Sequence, residues 1–174
     1  MIISVTDIRQ FIDAALSDEM LEMKLTGLEN LVRSYTHNDF QVRDIRSQSE
    51  IIDNKIVNPP SYLTVGDTIQ ISQSLLNNGV YTVTEITDEG MTLSGNLLDC
   101  KNNLVTKVFY PDDVVMGVVN LCKWELDNRA KVGIQSETIS RHSVTYFNMD
   151  GENAVMGYPK SLLGFLKPYM KARF

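Results

Sequence analysis

The feature that most constrains the fold of this chain is a single interruption of its helical hydrophobic pattern, between about residues 38 and 111. Apolar residues recur three and four positions apart before the interruption, and the same spacing returns after it. Within the interruption, Asn58-Pro59-Pro60 is incompatible with a helix, and the alternation from Thr68 to Ser72 is typical of a half-buried strand. The helical flanks can share one core only if the middle part forms a separate module.

Three long helices are expected in the flanks. The first is capped by Thr6 and has an apolar face that ends at Leu16, and Ser17 then caps the second. The third begins at Pro111, a residue favoured in a first turn, and ends at Gly133. A short C-terminal helix of residues 160–167 follows and is broken by a proline.

The interrupted region has the pattern of a small antiparallel sheet or barrel. Asn77-Asn78-Gly79 and Asp88-Glu89-Gly90 are turn sequences, and short runs rich in β-branched residues lie on either side of them. The predicted fold class is therefore α+β: a small bundle of three long helices plus a short C-terminal helix, with an inserted small antiparallel β-barrel-like module. The predicted domains are a helical body of residues 1–38 plus 111–174 and an inserted module of residues 39–110.

Residue spacing gives no indication of an enzyme. His37 and His142 stand outside any metal-ligand spacing, Cys100 and Cys122 are too few for a zinc site or a disulfide framework, and the ten glycines form no phosphate-binding loop. We therefore expect no catalytic residue, no cofactor and no metal. No stretch approaches the roughly 20 apolar residues of a membrane span, so we also expect a cytosolic product with no membrane partner.

The charge balance bears on nucleic-acid binding. A net charge of −6 disfavours sequence-blind attachment to DNA, although like charge would let DNA slide past without sticking. The β module has three aromatic residues between Gly66 and Tyr110 but only two lysines and no arginine, which makes a poor groove for an oligonucleotide. A structural or interaction module is favoured over a nucleic-acid or peptide binding barrel, which stays open as an alternative.

The C-terminal arm, residues 160–174, combines positive charge with aromatic residues in an acidic chain. It is either a docked helix with a solvated positive face or an arm that docks on an acidic partner or on a neighbouring copy. The candidate docking residues are Lys160, Phe165, Lys167, Tyr169, Lys171, Arg173 and Phe174.

Several stretches resemble head-tail connector (neck adaptor) proteins of tailed bacteriophages, of the type with an inserted small β domain. They are ENLVRSYTHNDF (29–40), VGDTI (65–69) and NGVYTV (78–83) in the module, QSETISRHSVTY (135–146), and GYPKSLLGFLKPY (157–169). The resemblance implies a non-enzymatic virion subunit at the head-tail interface, made in the host cytoplasm. It implies a ring, commonly dodecameric, under the portal protein, with a stopper or tail-completion protein below and double-stranded DNA passing through without sequence-specific binding.

The same resemblance implies roles for two segments. The arm reaches the portal or a sister subunit, and a polar extended segment meets the channel or a neighbour through Ser140, Arg141, His142 and Tyr146. The contacts of residues 39–110 are left open by it. Two other functions remain as alternatives: another virion neck or tail-completion protein (stopper or terminator), and, from a different class, the small β-barrel binding module.

Overall fold

The computed structural model describes residues 1–132, 136–139, 142–145 and 152–172. The chain divides into a strand unit, Met1–Ile2 with Asn38–Tyr110, and a mainly helical unit, Ile3–His37 with Pro111–Phe174. The helices are α1 (Val5–Ile8), α2 (Asp18–Thr36) and α3 (Asp112–Asn128), with 3₁₀ helices at Arg129–Lys131 and Lys160–Tyr169. The strands are β1 (Gln41–Ile52), β2 (Lys55–Val57), β3 (Thr68–Ser72), β4 (Gly79–Thr87), β5 (Gly90–Leu93), β6 (Cys100–Val108), β7 (Ser136–Ile139), β8 (His142–Thr145), β9 (Ala154–Val155) and β10 (Tyr158–Pro159).

Strands β1 to β6 close into an antiparallel barrel in the order β1-β2-β5-β4-β3-β6. β1 is 12 residues long and pairs with β6 over most of its length and with β2 at its end. Irregularities in its register after Val42 and after Ser49 allow it to bend, as a closed barrel requires. Asp53 and Asn54 then turn the chain into β2 with φ values of 49° and 63°, the positive angles that a two-residue hairpin turn needs.

Apolar side chains form the core of the barrel. The cluster contains nine buried residues, and Leu63 and Tyr81 pack against it at its margin. A small barrel filled in this way is a packed structural unit. The nine residues are Ile51, Ile56, Ile69, Ile71, Val83, Met91, Leu93, Leu97 and Val105.

Two long helices build the core of the helical unit. α2 buries one stripe that includes Leu21, Leu25 and Leu28, and its first turn is capped by Ser17, whose hydroxyl accepts a hydrogen bond from Met20 N at 3.3 Å. The predicted cap is therefore confirmed. α3 follows Pro111, as predicted, and is buried over a wide face. No helix of the described residues is long and apolar enough to cross a membrane.

The predicted fold class is wrong, because the chain is not a bundle of three long helices with an accessory module. Among the described elements, only α2 and α3 are long helices, the C-terminal helix is a 3₁₀ helix, and a closed six-stranded barrel is the largest unit. The prediction that a proline breaks the C-terminal helix after residue 167 is also wrong, because the 3₁₀ helix continues through Pro168 to Tyr169. The prediction also missed β1 and β2 entirely.

The predicted first helix is reduced to a single turn, α1. Its cap is Ser4, whose hydroxyl accepts a hydrogen bond from Asp7 N at 3.0 Å, and not Thr6. The chain leaves the helix because the guanidinium of Arg9 donates hydrogen bonds to the carbonyl oxygens of Ala14 at 3.3 Å and Leu16 at 2.9 Å. These bonds satisfy backbone groups that a longer helix would have paired internally.

Candidate docking surfaces

The described part of the C-terminal arm packs on the helices of its own unit. Leu163 and Leu166 are buried, and the half-buried ring of Phe165 lies against Gly117 of α3. A β-carbon at Gly117 would overlap that ring, so only glycine fits beneath it. The apolar side of the arm is therefore used within the subunit.

Two polar contacts fix the end of the arm. The Tyr169 hydroxyl donates to the Asp113 carboxylate, whose oxygens lie 2.7 and 2.9 Å away, and this hydrogen bond raises the pKa of Tyr169. The backbone N–H of Lys171 donates to the carbonyl oxygen of Thr36 at 2.8 Å. The arm is thus held at the first turn of α3 and at the last residue of α2.

The predicted arm residues fall into two groups in the structure. Phe165 and Tyr169 anchor the arm to its own helices, whereas the side chains of Lys160, Lys167 and Lys171 are exposed to solvent. We call these three residues the arm lysines. Arg173 and Phe174 lie outside the described residues.

The predicted extended segment contains a β-hairpin. β7 and β8 pair antiparallel, from Ser136 opposite Thr145 to Ile139 opposite His142. The strand propensity predicted for this region is confirmed by these two strands, and His142 is the first residue of the second one. Ser140, Arg141 and Tyr146 lie outside the described residues.

An open groove in the helical unit, with a volume of about 470 Å³, was not predicted. On α2 its wall is apolar and adaptable, because Met20 and Met23 are 52% and 75% exposed. Gly27 faces open space, since a β-carbon built there would meet no atom within 4 Å. The groove is lined by Met20, Met23, Lys24, Gly27, Leu28, Glu125, Arg129 and Tyr158.

A charged network centred on Glu125 forms one side of this groove. Lys24 Nζ lies 2.9 Å from one carboxylate oxygen, and the Tyr158 hydroxyl donates to the other. The Arg129 guanidinium lies 3.7 Å from the carboxylate and stacks over the rings of Tyr158 at 4.7 Å and Trp124 at 5.4 Å. Such cation–π contacts hold a guanidinium in a defined orientation.

The network keeps fixed protonation states around neutral pH. Burial opposes ionisation of Glu125, but hydrogen bonds from Tyr158 and Lys24 outweigh it and hold the pKa of Glu125 below its usual value. Burial and the neighbouring carboxylate raise the pKa of Tyr158 to about 12. Glu125 is therefore an acceptor and Tyr158 a donor, an arrangement that stabilises the groove.

A second unpredicted surface lies at one end of the barrel. Four large aliphatic side chains are exposed there: Ile52 (43%), Leu75 (87%), Leu76 (55%) and Leu98 (58%). We call this set the aliphatic end. Its members are brought together because Asn77 bonds both backbone groups of Leu98, at 2.8 and 2.9 Å, and Asp53 N bonds the Asp99 carboxylate at 3.0 Å.

The two unpredicted surfaces had weak signals in the sequence. Met20, Met23 and Gly27 recur at helical spacing beside the buried stripe of α2, and Leu75-Leu76 stands directly before an Asn-Asn-Gly turn. Neither pattern is distinct from ordinary core spacing until the exposed fractions are known.

The described residues contain no group of three or more His, Cys, Asp or Glu side chains that could hold a metal ion. Cys100 and Cys122 are free thiols, and burial raises the pKa of the second. No protein-family model matches the chain, and no curated protein matches it.

Proposed function

We propose that this chain is a structural subunit of the head-tail connector of a tailed bacteriophage. Copies form a ring that joins the portal protein to the stopper or tail and helps retain packaged DNA. The observation that carries the proposal is the arrangement of the arm. Its aromatic and aliphatic side chains anchor it to its own helices, and its three lysines remain exposed.

An ordered cationic segment on an acidic protein suits a partner with an acidic surface. The chain carries a net charge of −6, so the arm lysines stand out against their surroundings. Because the arm is already folded onto α2 and α3, docking through it costs little conformational entropy. The portal protein is the proposed partner.

The hairpin supports assembly into a ring. β7 and β8 form a two-stranded sheet that pairs with no other described strand. An isolated two-stranded hairpin is marginally stable in water, so completion by a neighbouring subunit would stabilise it. This is the behaviour expected of a segment that lies at the channel or at an inter-subunit contact.

The charge of the barrel unit disfavours the alternative of a nucleic-acid binding module. Residues 38–110 contain nine Asp and Glu side chains against five Lys and Arg side chains. Two of those lysines are paired, Lys55 with Glu89 at 2.7 Å and Lys107 with Asp67 at 2.8 Å. Little positive charge is left to track a phosphate backbone.

Charge reversal of the arm lysines tests the proposal. The triple variant Lys160→Glu, Lys167→Glu, Lys171→Glu should keep its circular dichroism spectrum and lose at least tenfold in affinity for purified portal protein. A matched control reverses three other exposed cations, Arg43, Lys101 and Lys123, which gives the same change of net charge. Equal portal binding by the two triple variants would contradict the proposal.

Removal of the whole arm would be a weaker test. Truncation before Lys160 would delete Leu163 and Leu166, which are 2% and 0% exposed and belong to the core of the helical unit. Loss of binding by the truncated chain could then reflect loss of folding.

A further inference from the structure

We propose that the aliphatic end of the barrel in one copy docks into the methionine-lined groove of the helical unit in a second copy. This inference rests on the proposed function and adds to it a task for the barrel. Two different surfaces that complement each other on one chain give a head-to-tail contact between copies, and repetition of that contact generates a ring when the rotation closes.

The aliphatic end is held rigid by hydrogen bonds within its own loop. Ser74 Oγ accepts from Leu76 N at 3.3 Å and from Asn77 N at 3.0 Å. The Asn78 side chain bonds both backbone groups of Ser74, at 2.6 and 3.0 Å, and the Tyr81 hydroxyl donates to Asn77 O at 3.1 Å. Leu75 and Leu76 are therefore presented to solvent on a fixed turn.

A second loop at the same barrel end is fixed in the same way. Asn54 Oδ1 accepts a hydrogen bond from Leu97 N at 2.7 Å. The buried Asn77 side chain donates to the carbonyl oxygen of Leu98 and accepts from its backbone N–H. Exposed aliphatic side chains on loops fixed this tightly form a preorganised contact surface, which loses little entropy on binding.

The groove complements this surface in shape and chemistry. It is open, has room for more than one leucine side chain, and is lined on one side by flexible methionines that adapt to an apolar partner. The absence of a side chain at Gly27 deepens it, because nothing else occupies that space.

Charge complementarity gives the contact an orientation. Asp53 and Asp99 are exposed beside the aliphatic end. At the groove, Lys24 and Arg129 share the single carboxylate of Glu125, which leaves one net positive charge among these three residues. Glu19 and Glu22 border a neighbouring depression on α2, so the acidic side of the barrel end should face the two cations. A second copy thus supplies both the apolar and the charged complement.

Cross-linking between two single-site variants tests the contact. Leu98→Cys and Met23→Cys are prepared as separate full-length chains, each with Cys100→Ser, and are mixed with a short bismaleimide, alone and with portal protein. Cys122 is fully buried and should not compete. We expect a covalent dimer that contains one chain of each variant.

The control pair replaces Leu98→Cys by Val65→Cys. Val65 is 61% exposed and lies before β3, whereas Leu75 lies after it, so the two residues are at opposite ends of that strand. A dimer yield from the control pair equal to that of the test pair, with and without portal, would overturn the inference. A cross-link that forms only when both cysteines are in one chain would also overturn the inference, because it would show a contact within a copy and not between copies.

Filling the groove is an independent test that does not rely on a destabilising change. Gly27→Leu adds a side chain into open space and improves helix propensity, so the melting temperature should hold or rise. Association between copies, measured by the same cross-link, should fall at least tenfold. Asn120→Leu, which adds the same side chain to an exposed position of α3 outside the groove lining, should leave the cross-link unchanged.

These results separate the inference from the proposed function. If Gly27→Leu leaves the association intact while charge reversal of the arm lysines abolishes portal binding, the docking inference is wrong and the connector function stands. If the cross-link forms but the chain never binds portal, the contact stands and the connector function fails.

Discussion

Replacement of Gly117 by alanine should destabilise the protein when residue 165 is phenylalanine and stabilise it when residue 165 is alanine. In the native chain the added methyl group collides with the Phe165 ring, which has to leave its place on α3. Displacement of a half-buried phenylalanine and the resulting overpacking cost about 2–3 kcal/mol. The better helix propensity of alanine returns about 1 kcal/mol. The expected net loss in the free energy of unfolding is therefore about 1–2 kcal/mol.

When the ring is absent, only the propensity gain remains. In a Phe165→Ala background, Gly117→Ala should raise the free energy of unfolding by about 0.5–1 kcal/mol, so the double-mutant cycle should give a coupling of about 2 kcal/mol. Gly27→Ala is the matched control, since it places the same methyl group on α2 in open space and should stabilise both backgrounds equally.

Urea unfolding measured by tryptophan fluorescence is the suitable assay. Trp124 is the single tryptophan of the chain and lies in α3, so its emission reports on the helical unit. A Gly117→Ala effect of the same sign and size in both backgrounds would refute the packing of the arm on α3, and with it the argument that the arm is preorganised.

Two further predictions concern the groove and the aliphatic end. Glu125→Gln should lower the free energy of unfolding by about 1.5–3 kcal/mol at pH 7, because it removes charged hydrogen bonds to Lys24 and Tyr158. Since the pKa of Glu125 is held below 4.5 in the folded state, its contribution is present above that pH and is lost as the pH falls through the folded value. Wild type should thus lose stability below pH 4.5 more steeply than the variant, and parallel urea midpoints across that range would contradict this. Asn77→Ala should destabilise the barrel by about 1–3 kcal/mol, because it leaves both backbone groups of Leu98 unpaired; unchanged thermal unfolding by circular dichroism would show that the loop is not fixed as described.

The long helices could be predicted from the sequence because two independent local signals agree. α2 has a continuous buried stripe directly after Ser17, and α3 has one directly after Pro111. The prediction of a long first helix was wrong because hydrophobic periodicity cannot show that the Arg9 side chain bonds backbone carbonyl oxygens several residues away, where the helix has already ended. Ile8 and Ile12 are buried as a helical pattern would predict, but the residues between them form a turn, which is closed by a hydrogen bond from Ile12 N to Ile8 O.

The barrel could be predicted only in part. β3 and β4 alternate and flank a turn, so local pattern was sufficient for them. β1 has mostly polar residues between Gln41 and Ser49, and its strand character depends on pairing with β6, which is distant in sequence. Register irregularities in β1 further obscure the two-residue period.

The candidate surfaces depend on tertiary structure. The sequence showed that the arm combines lysines with aromatic residues, but the fit of Phe165 over Gly117 joins positions 48 residues apart and has no local signal. The groove is lined by residues of both α2 and α3, and the aliphatic end depends on the Asn77 contact to Leu98, so each joins positions that are far apart in the sequence.

Native mass spectrometry of the 174-residue chain mixed with the portal protein that the proposal assigns to it as partner tests the proposed connector function most directly. The connector account predicts a discrete complex of a portal ring with a closed ring of this chain, and its loss on charge reversal of the arm lysines but not in the matched Arg43, Lys101 and Lys123 control. A mixture in which the chain remains a monomer and the portal ring gains no mass would contradict the account.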